Sequence, residues 1–221
     1  MQIHADLTKR AVVNTISQDW VPSPMSGVES QLLESDDRET ERATSLVRFA
    51  PGSRFVTETH DMSEEFLVLD GVYSDERGDF QKGMYVRNPP GSEFISSSTP
   101  GAIIMVKRHR THPKYKQQVH VDTEDPIGWQ IGRIGEKVLP LFADSRETVS
   151  MLDWEPGCSF ATQTLSGGAE YLVLEGRFQD EESSYPSGTW LRLPAGSQQT
   201  IRSISGARVW RKLGHLMIPN A

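Results

Sequence analysis

The sequence repeats itself. Laid over itself with a shift of about 105 residues, the 221-residue chain places Pro51-Gly52 on Pro156-Gly157 and Phe55 on Phe160. Without a gap, Glu65-Phe66-Leu67-Val68-Leu69-Asp70-Gly71 falls on Glu170-Tyr171-Leu172-Val173-Leu174-Glu175-Gly176. Gly83, Arg87, Pro89, Gly91 and Ser92 fall on Gly188, Arg192, Pro194, Gly196 and Ser197, and Asp-x-Arg-Glu-Thr occurs at Asp36 and again at Asp144. A repeat of this length is one whole folding unit copied, so the chain must build the same small domain twice.

Each copy is made of short β-type runs separated by Gly and Pro, with no sustained 3.6-residue apolar period. This pattern predicts an all-β chain of two tandem jelly-roll barrels, each a double-stranded β-helix. Strands are expected near residues 44–49, 54–60, 65–69, 84–87 and 103–108 in the first copy. In the second they are expected near 149–154, 159–165, 171–174, 189–193 and 208–213. Residues 1–112 are assigned to an N-terminal arm and the first barrel, and residues 113–221 to a linker and the second barrel. Exposed edge strands and a duplicated unit predict a homodimer or higher homo-oligomer.

Composition excludes several classes. A net charge of −7 gives no basic face for nucleic acid. No stretch is long and apolar enough to cross a membrane, and the N-terminal segment lacks the apolar core of a secretion signal, so the expected location is the cytoplasm. The single cysteine, Cys158, rules out an intramolecular disulfide and a Cys-rich zinc knuckle; it reads as a small, partly buried thiol. The run Lys107-Arg108-His109-Arg110, continuing to Lys116, reads as a solvated linker. Trp154, Trp190 and Trp210 read as core or interface residues.

Residues that could carry chemistry gather in the first copy. Glu58 and His60 stand two apart in an extended run, so their side chains share one face. After a short turn, Glu64 returns on the next strand toward His60. Three oxygen and nitrogen donors with open positions suit one divalent metal, and manganese fits this donor set as well as zinc or iron does. The alternative is a metal-free interior in which His60 hydrogen-bonds a neighbouring acid. In the second copy the same places hold Gln163, Leu165 and Ala169, and Phe94 of the first copy corresponds to Gln199. No metal is expected there. Arg87 and Arg192, at matching places, read first as structural, with Arg87 and Phe94 as candidate ligand-pocket residues. Glu170 reads as a hairpin carboxylate facing Arg192 or solvent.

These spacings resemble those of cupins. The first cupin motif is Gly, five residues, His-x-His, three or four residues, Glu, six residues, Gly, and it falls on Gly52, Glu58, His60, Glu64 and Gly71. The second, Gly, five residues, Pro-x-Gly, two residues, His, falls on Gly83, Pro89, Gly91 and Phe94. The wording EEFLVLDGVYSDERGDF, followed by GMYVRNPPGS, is similar to the ChrR type, the C-terminal module of zinc-dependent anti-sigma factors. In that family His, His, Glu and His hold the metal; Glu58 and Phe94 replace the first and last here. The resemblance implies a sensory or regulatory module that binds a small ligand or metal, with an extracytoplasmic-function sigma factor as a partner by family likeness alone. The His and Cys-x-x-Cys of the anti-sigma zinc domain are not found before the first barrel. ChrR-like cupins also include dioxygenases that cleave diketones and aryl ketones, so such an enzyme is the second reading, and a metal-free structural bicupin the third.

Overall fold

The structure is a computed structural model that describes residues 2–36, 42–56, 62–92, 94–109 and 118–216. The described residues form strands, turns and bends, with no helix among them, and none that could cross a membrane as a helix.

Two compact units form, Met1–Ala5 with Asp19–Glu124, and Asp6–Gln18 with Asp125–Ala221. The main sheet of the first runs, in spatial order, Val119–Asp122, Met84–Asn88, Ser63–Asp75, Ala102–His109, Arg42–Phe49, Val28–Ser35, Val21–Pro22. That of the second runs Ala11–Asn14, Thr189–Leu193, Ala169–Gln179, Ala207–Leu213, Thr148–Trp154, Glu136–Ala143, Gln130–Ile131. Position for position the order is the same, and every strand pair is antiparallel. Shorter strands, such as Ser53–Val56 paired with Ile95–Ser98, build the opposing wall of the first jelly roll. The outermost strands are exchanged between the repeats. Ala11 pairs with Arg192, whereas Val119 pairs with Arg87, so each unit's sheet is completed by the segment that leads into the other repeat.

Burial of one sheet face drives each barrel closed. In the first unit Phe49, Phe66, Tyr73 and Phe80 pack with ring centroids 5.0 to 6.2 Å apart. In the second, Trp154, Tyr171, Phe178 and Tyr185 occupy the matching places, at 4.9 to 5.6 Å. Tilted and edge-on pairs of this kind add to the area they bury, so the aromatic cluster is the repeated nucleus of the core.

Sequence expectations are corrected at several points. The strand expected over 65–69 runs from Ser63 to Asp75, past Gly71. Glycine acts here as a corner: a register shift beside it and a φ of +70° let the strand pass from one wall to the other. Gly176 does the same at +68°. The expected strand over 159–165 is two, Cys158–Ser159 and Gln163–Leu165. Lys107 is not solvated; it is 1% exposed, and its Nζ donates to Thr44 Oγ1 at 2.7 Å. Arg110, His112 and Lys116 lie outside the described residues. Glu170, expected to face Arg192 or solvent, stands opposite Arg192 in the strand register, is fully buried, and accepts hydrogen bonds from Trp190 Nε1 at 2.8 Å and His215 Nε2 at 3.0 Å.

Candidate functional site in the first barrel

Alternation along the strands decides what faces the first interior. On Ser63–Asp75, Phe66 and Val68 belong to the barrel core, so Glu64 points the same way. On Ala102–His109, Ile104 and Val106 are core, which brings Arg108 to the same face. Glu64 and Arg108 are cross-strand partners, and Arg108 Nε lies 3.2 Å from Glu64 Oε2. Both side chains keep some exposure, 18% and 39%, so this pair orients more than it stabilises.

The pair lines a cavity of about 190 Å³. Its walls are mostly apolar, with Met25, Val47, Phe49 and Phe55 among them, and its polar groups include Glu64, Arg108, Tyr73, Ser45 and Ser96. A cavity of about 150 Å³ accommodates a benzene ring, so this one has room for a small organic molecule. Tyr73 shares a 2.6 Å hydrogen bond with Ser96. Burial, reinforced by the negative charge of Glu64, pushes the Tyr73 hydroxyl well above the ordinary tyrosine range. It therefore serves as a neutral donor and acceptor.

Of the proposed metal donors, Glu58 and His60 lie outside the described residues; Glu64 is placed, lining the cavity. Among the described residues no three His, Cys, Asp or Glu side chains gather as a metal-binding group. Phe94 does meet Glu64, around a notch of about 10 Å³ that also touches Asn88 and Arg108. That is the space of one water. The Phe94 ring is covered by the Arg77 guanidinium, 3.9 Å from its centroid, and Arg77 is held by Asp75 and by Asn88 Oδ1 at 2.7 Å. Arg87 is placed elsewhere. Its strand turns it to the face opposite the barrel core, where it is 1% exposed and lies 3.4 Å from Glu65, which also accepts the Tyr85 hydroxyl at 2.6 Å. The residues that sequence reasoning missed are Arg108, Tyr73 and Arg77. Arg108 was legible from its spacing to Ile104 and Val106, but the basic run around it concealed that.

In the second barrel, Leu165 and Ala169 are core residues, and Gln163 pairs across the strands with Gln199. Gln199 Oε1 accepts the Tyr171 hydroxyl at 2.7 Å. Elsewhere in this unit, Arg133 binds Glu136 through Nε at 3.0 Å and a terminal nitrogen at 2.6 Å, and Trp154 Nε1 donates to the same carboxylate at 3.0 Å. Burial alone would raise the Glu136 pKa; the hydrogen bonds from Arg133 and Trp154 overcome it and hold the group at about 2, against an ordinary 4.5. A depressed carboxyl stabilises the fold above its unfolded pKa, and this contribution is lost as pH falls through the folded value. Glu136→Gln should accordingly cost about 1 to 3 kcal/mol at pH 6. In urea titrations the gap from wild type should narrow as pH is lowered from about 4.5 toward 2; a gap independent of pH would contradict this.

Comparison with known proteins agrees with this fold. Solved structures share the fold over nearly the whole chain. A candidate glyoxylate-induced protein from Pseudomonas aeruginosa superposes with a TM-score of 0.78 at 16% identity, covering 100% of this chain and 93% of that one. A candidate dioxygenase from Nostoc punctiforme gives 0.76 at 14%, covering 96% and 85%. The Escherichia coli protein YlbA gives 0.74 at 14%, covering 99% and 96%. Identities this low speak for the fold alone. No curated protein sequence is significantly similar to the chain. The ChrR cupin-like domain model matches twice, over residues 8–112 and 116–217. With both repeats matched in turn, the chain belongs to the ChrR cupin-like family, as a tandem pair of cupin barrels.

Proposed function

We propose that the chain is a sensory or regulatory ligand-binding module whose first barrel receives a small molecule, with a divalent metal held by Glu58, His60 and Glu64. The observation that carries this reading is the 190 Å³ cavity, with apolar walls and a Glu64–Arg108 pair and Tyr73 as its fixed polar groups. Such a mixture, mostly hydrocarbon with a few oriented donors and acceptors, is how proteins recognise small organic ligands. A metal there would be held by Glu64 from the described wall, and by Glu58 and His60 on the sequence spacing. The regulatory assignment rests on the ChrR likeness. A sigma-factor partner has only that likeness behind it, since one cysteine in the chain cannot supply a Cys-x-x-Cys.

A thermal-shift screen of small aromatic and carbonyl compounds tests the reading. Ligands should raise the melting temperature of the wild type, and Ser45→Leu, which fills the cavity from one wall, should abolish the effect. Hits that stabilise Ser45→Leu equally would overturn the placement.

The likeness in fold to a candidate dioxygenase favours a second reading, a metal-dependent dioxygenase acting on a small diketone or aryl ketone. It uses the same cavity and requires the metal. Oxygen consumption with bound metal and such a substrate, absent in His60→Ala, would select it.

A further inference from the structure

A turn that borders the first cavity has a repeat-equivalent that is locked. In the first unit the turn carrying Met25 joins Val21–Pro22 to Val28–Ser35; in the second, the turn carrying Arg133 joins Gln130–Ile131 to Glu136–Ala143. The two turns are built alike. Val28 N donates to Met25 O at 3.2 Å, and Glu136 N donates to Arg133 O at 2.9 Å. Gly27 and Gly135, at φ +75° and +78°, accept hydrogen bonds from Ala50 N and Glu155 N at 2.8 and 2.9 Å. Val28 stands opposite Phe49 in the strand register as Glu136 stands opposite Trp154. Only the side chains differ. The Arg133 guanidinium lies 3.8 Å from the centroid of the Phe160 ring and binds Glu136 through two nitrogens, and Trp154 donates to the same carboxylate. A forked guanidinium pair stacked on an aromatic ring fixes the turn in one orientation. Met25, Val28 and Phe49 hold the matching places in the first unit, and none of them can make these bonds.

Met25 lines the cavity and is 41% exposed, more than any other large apolar side chain that lines it among the described residues. It therefore stands between the cavity and solvent. Methionine is unbranched and turns about several bonds, so it can yield to an entering molecule and then pack on it. The groups behind it are small for their places. Val47, Phe49 and Ser96 line the cavity where the second barrel has Leu152, Trp154 and Ile201, all buried in its core. Phe49 and Phe55 stack with centroids 5.5 Å apart and form a flat aromatic wall. The space left beside that wall is of the order that holds one ring with a short substituent. We infer that the first barrel takes a ligand built on a single aromatic ring, and that Met25 is the residue that admits it and sets its size. This inference rests on the first barrel being the ligand site proposed above. The second barrel has the same entrance, held shut by Arg133 and Glu136.

The test is the melting temperature of the full chain with toluene, phenol, naphthalene or indole. Toluene or phenol should raise it in a saturable manner for the wild type, and the two-ring probes should not. Met25→Ala should gain a response to naphthalene or indole, whereas Met25→Leu, which conserves volume, should select as the wild type does. Combining Met25→Arg, Val28→Glu and Phe49→Trp transfers the lock, and should abolish the response to toluene and phenol while keeping the wild-type circular dichroism. If this combination fails to fold, Met25→Ala against Met25→Leu decides. Should no probe act on the wild type, the proposed function falls together with this inference. Where one-ring probes act and Ser45→Leu abolishes their effect, the site stands, and the inference alone is overturned by any of three results: two-ring probes acting equally on the wild type, Met25→Ala gaining no response to them, or a folded locked variant that still responds to toluene and phenol.

Discussion

Gly71→Ala and Gly176→Ala are each expected to destabilise the protein by about 3 kcal/mol or more. A Cβ at either position would lie 2.1 Å from a backbone carbonyl oxygen, that of Gly101 in one repeat and of Gly206 in the other. Those carbonyls accept hydrogen bonds from Val72 and Arg177 at 3.2 and 3.1 Å, so they cannot move aside without breaking the strand that turns the corner. Positive φ adds its own penalty. Gly52 and Gly157 separate the two effects: both have positive φ, +77° and +83°, with nothing within 4 Å of an added Cβ. Alanine there should cost about 1 to 2 kcal/mol, the left-handed penalty alone. Urea denaturation of the four variants checks this. Equal losses at all four sites would show that the close approach of strand and carbonyl is not what fixes the corner.

Arg87→Ala should be as damaging, by about 3 to 5 kcal/mol, since it removes a buried cation that faces the buried Glu65 carboxylate. Glu65 is fully buried and Arg87 is 1% exposed, so water cannot take the place of the guanidinium. Arg87→Met combined with Glu65→Gln should recover more than half of the loss, because the double variant removes both charges and fills the same volume. Should the double variant be no better than the single, the damage comes from lost packing and not from a stranded charge.

The fold was legible because its determinants are local and written twice. Gly71 and Gly176, the Pro-x-Gly turns and the apolar runs from Phe66 and Tyr171 each fix a corner or a core strand wherever they occur. Strands Val28–Ser35 and Glu136–Ala143 escaped notice for a physical reason. Each contains a bulge, between Leu32 and Glu34 and between Pro140 and Phe142, which breaks the two-residue period. Each also buries polar residues, Gln31 and Glu34 in one and Glu136 in the other. The adjacent pair Glu64-Glu65 shows the same limit at the site. Alternation sends the two to opposite faces, but only packing reveals that Glu65 is sealed against Tyr85 and Arg87 while Glu64 opens on a cavity. Lys107 was misjudged because charge is ordinarily a surface signal, and here it is held in the interior by Thr44.

The two barrels share one fold and differ in interior chemistry, and the most direct measure of that difference is metal content per chain. Protein purified without chelators, then exposed to manganese, zinc or iron and desalted, should retain metal in the wild type at no more than one equivalent. His60→Ala should abolish it while keeping the wild-type circular dichroism, and Gln163→Ala should leave it unchanged. Metal that persists in His60→Ala and disappears in Gln163→Ala would contradict the assignment of the first barrel as the metal and ligand site.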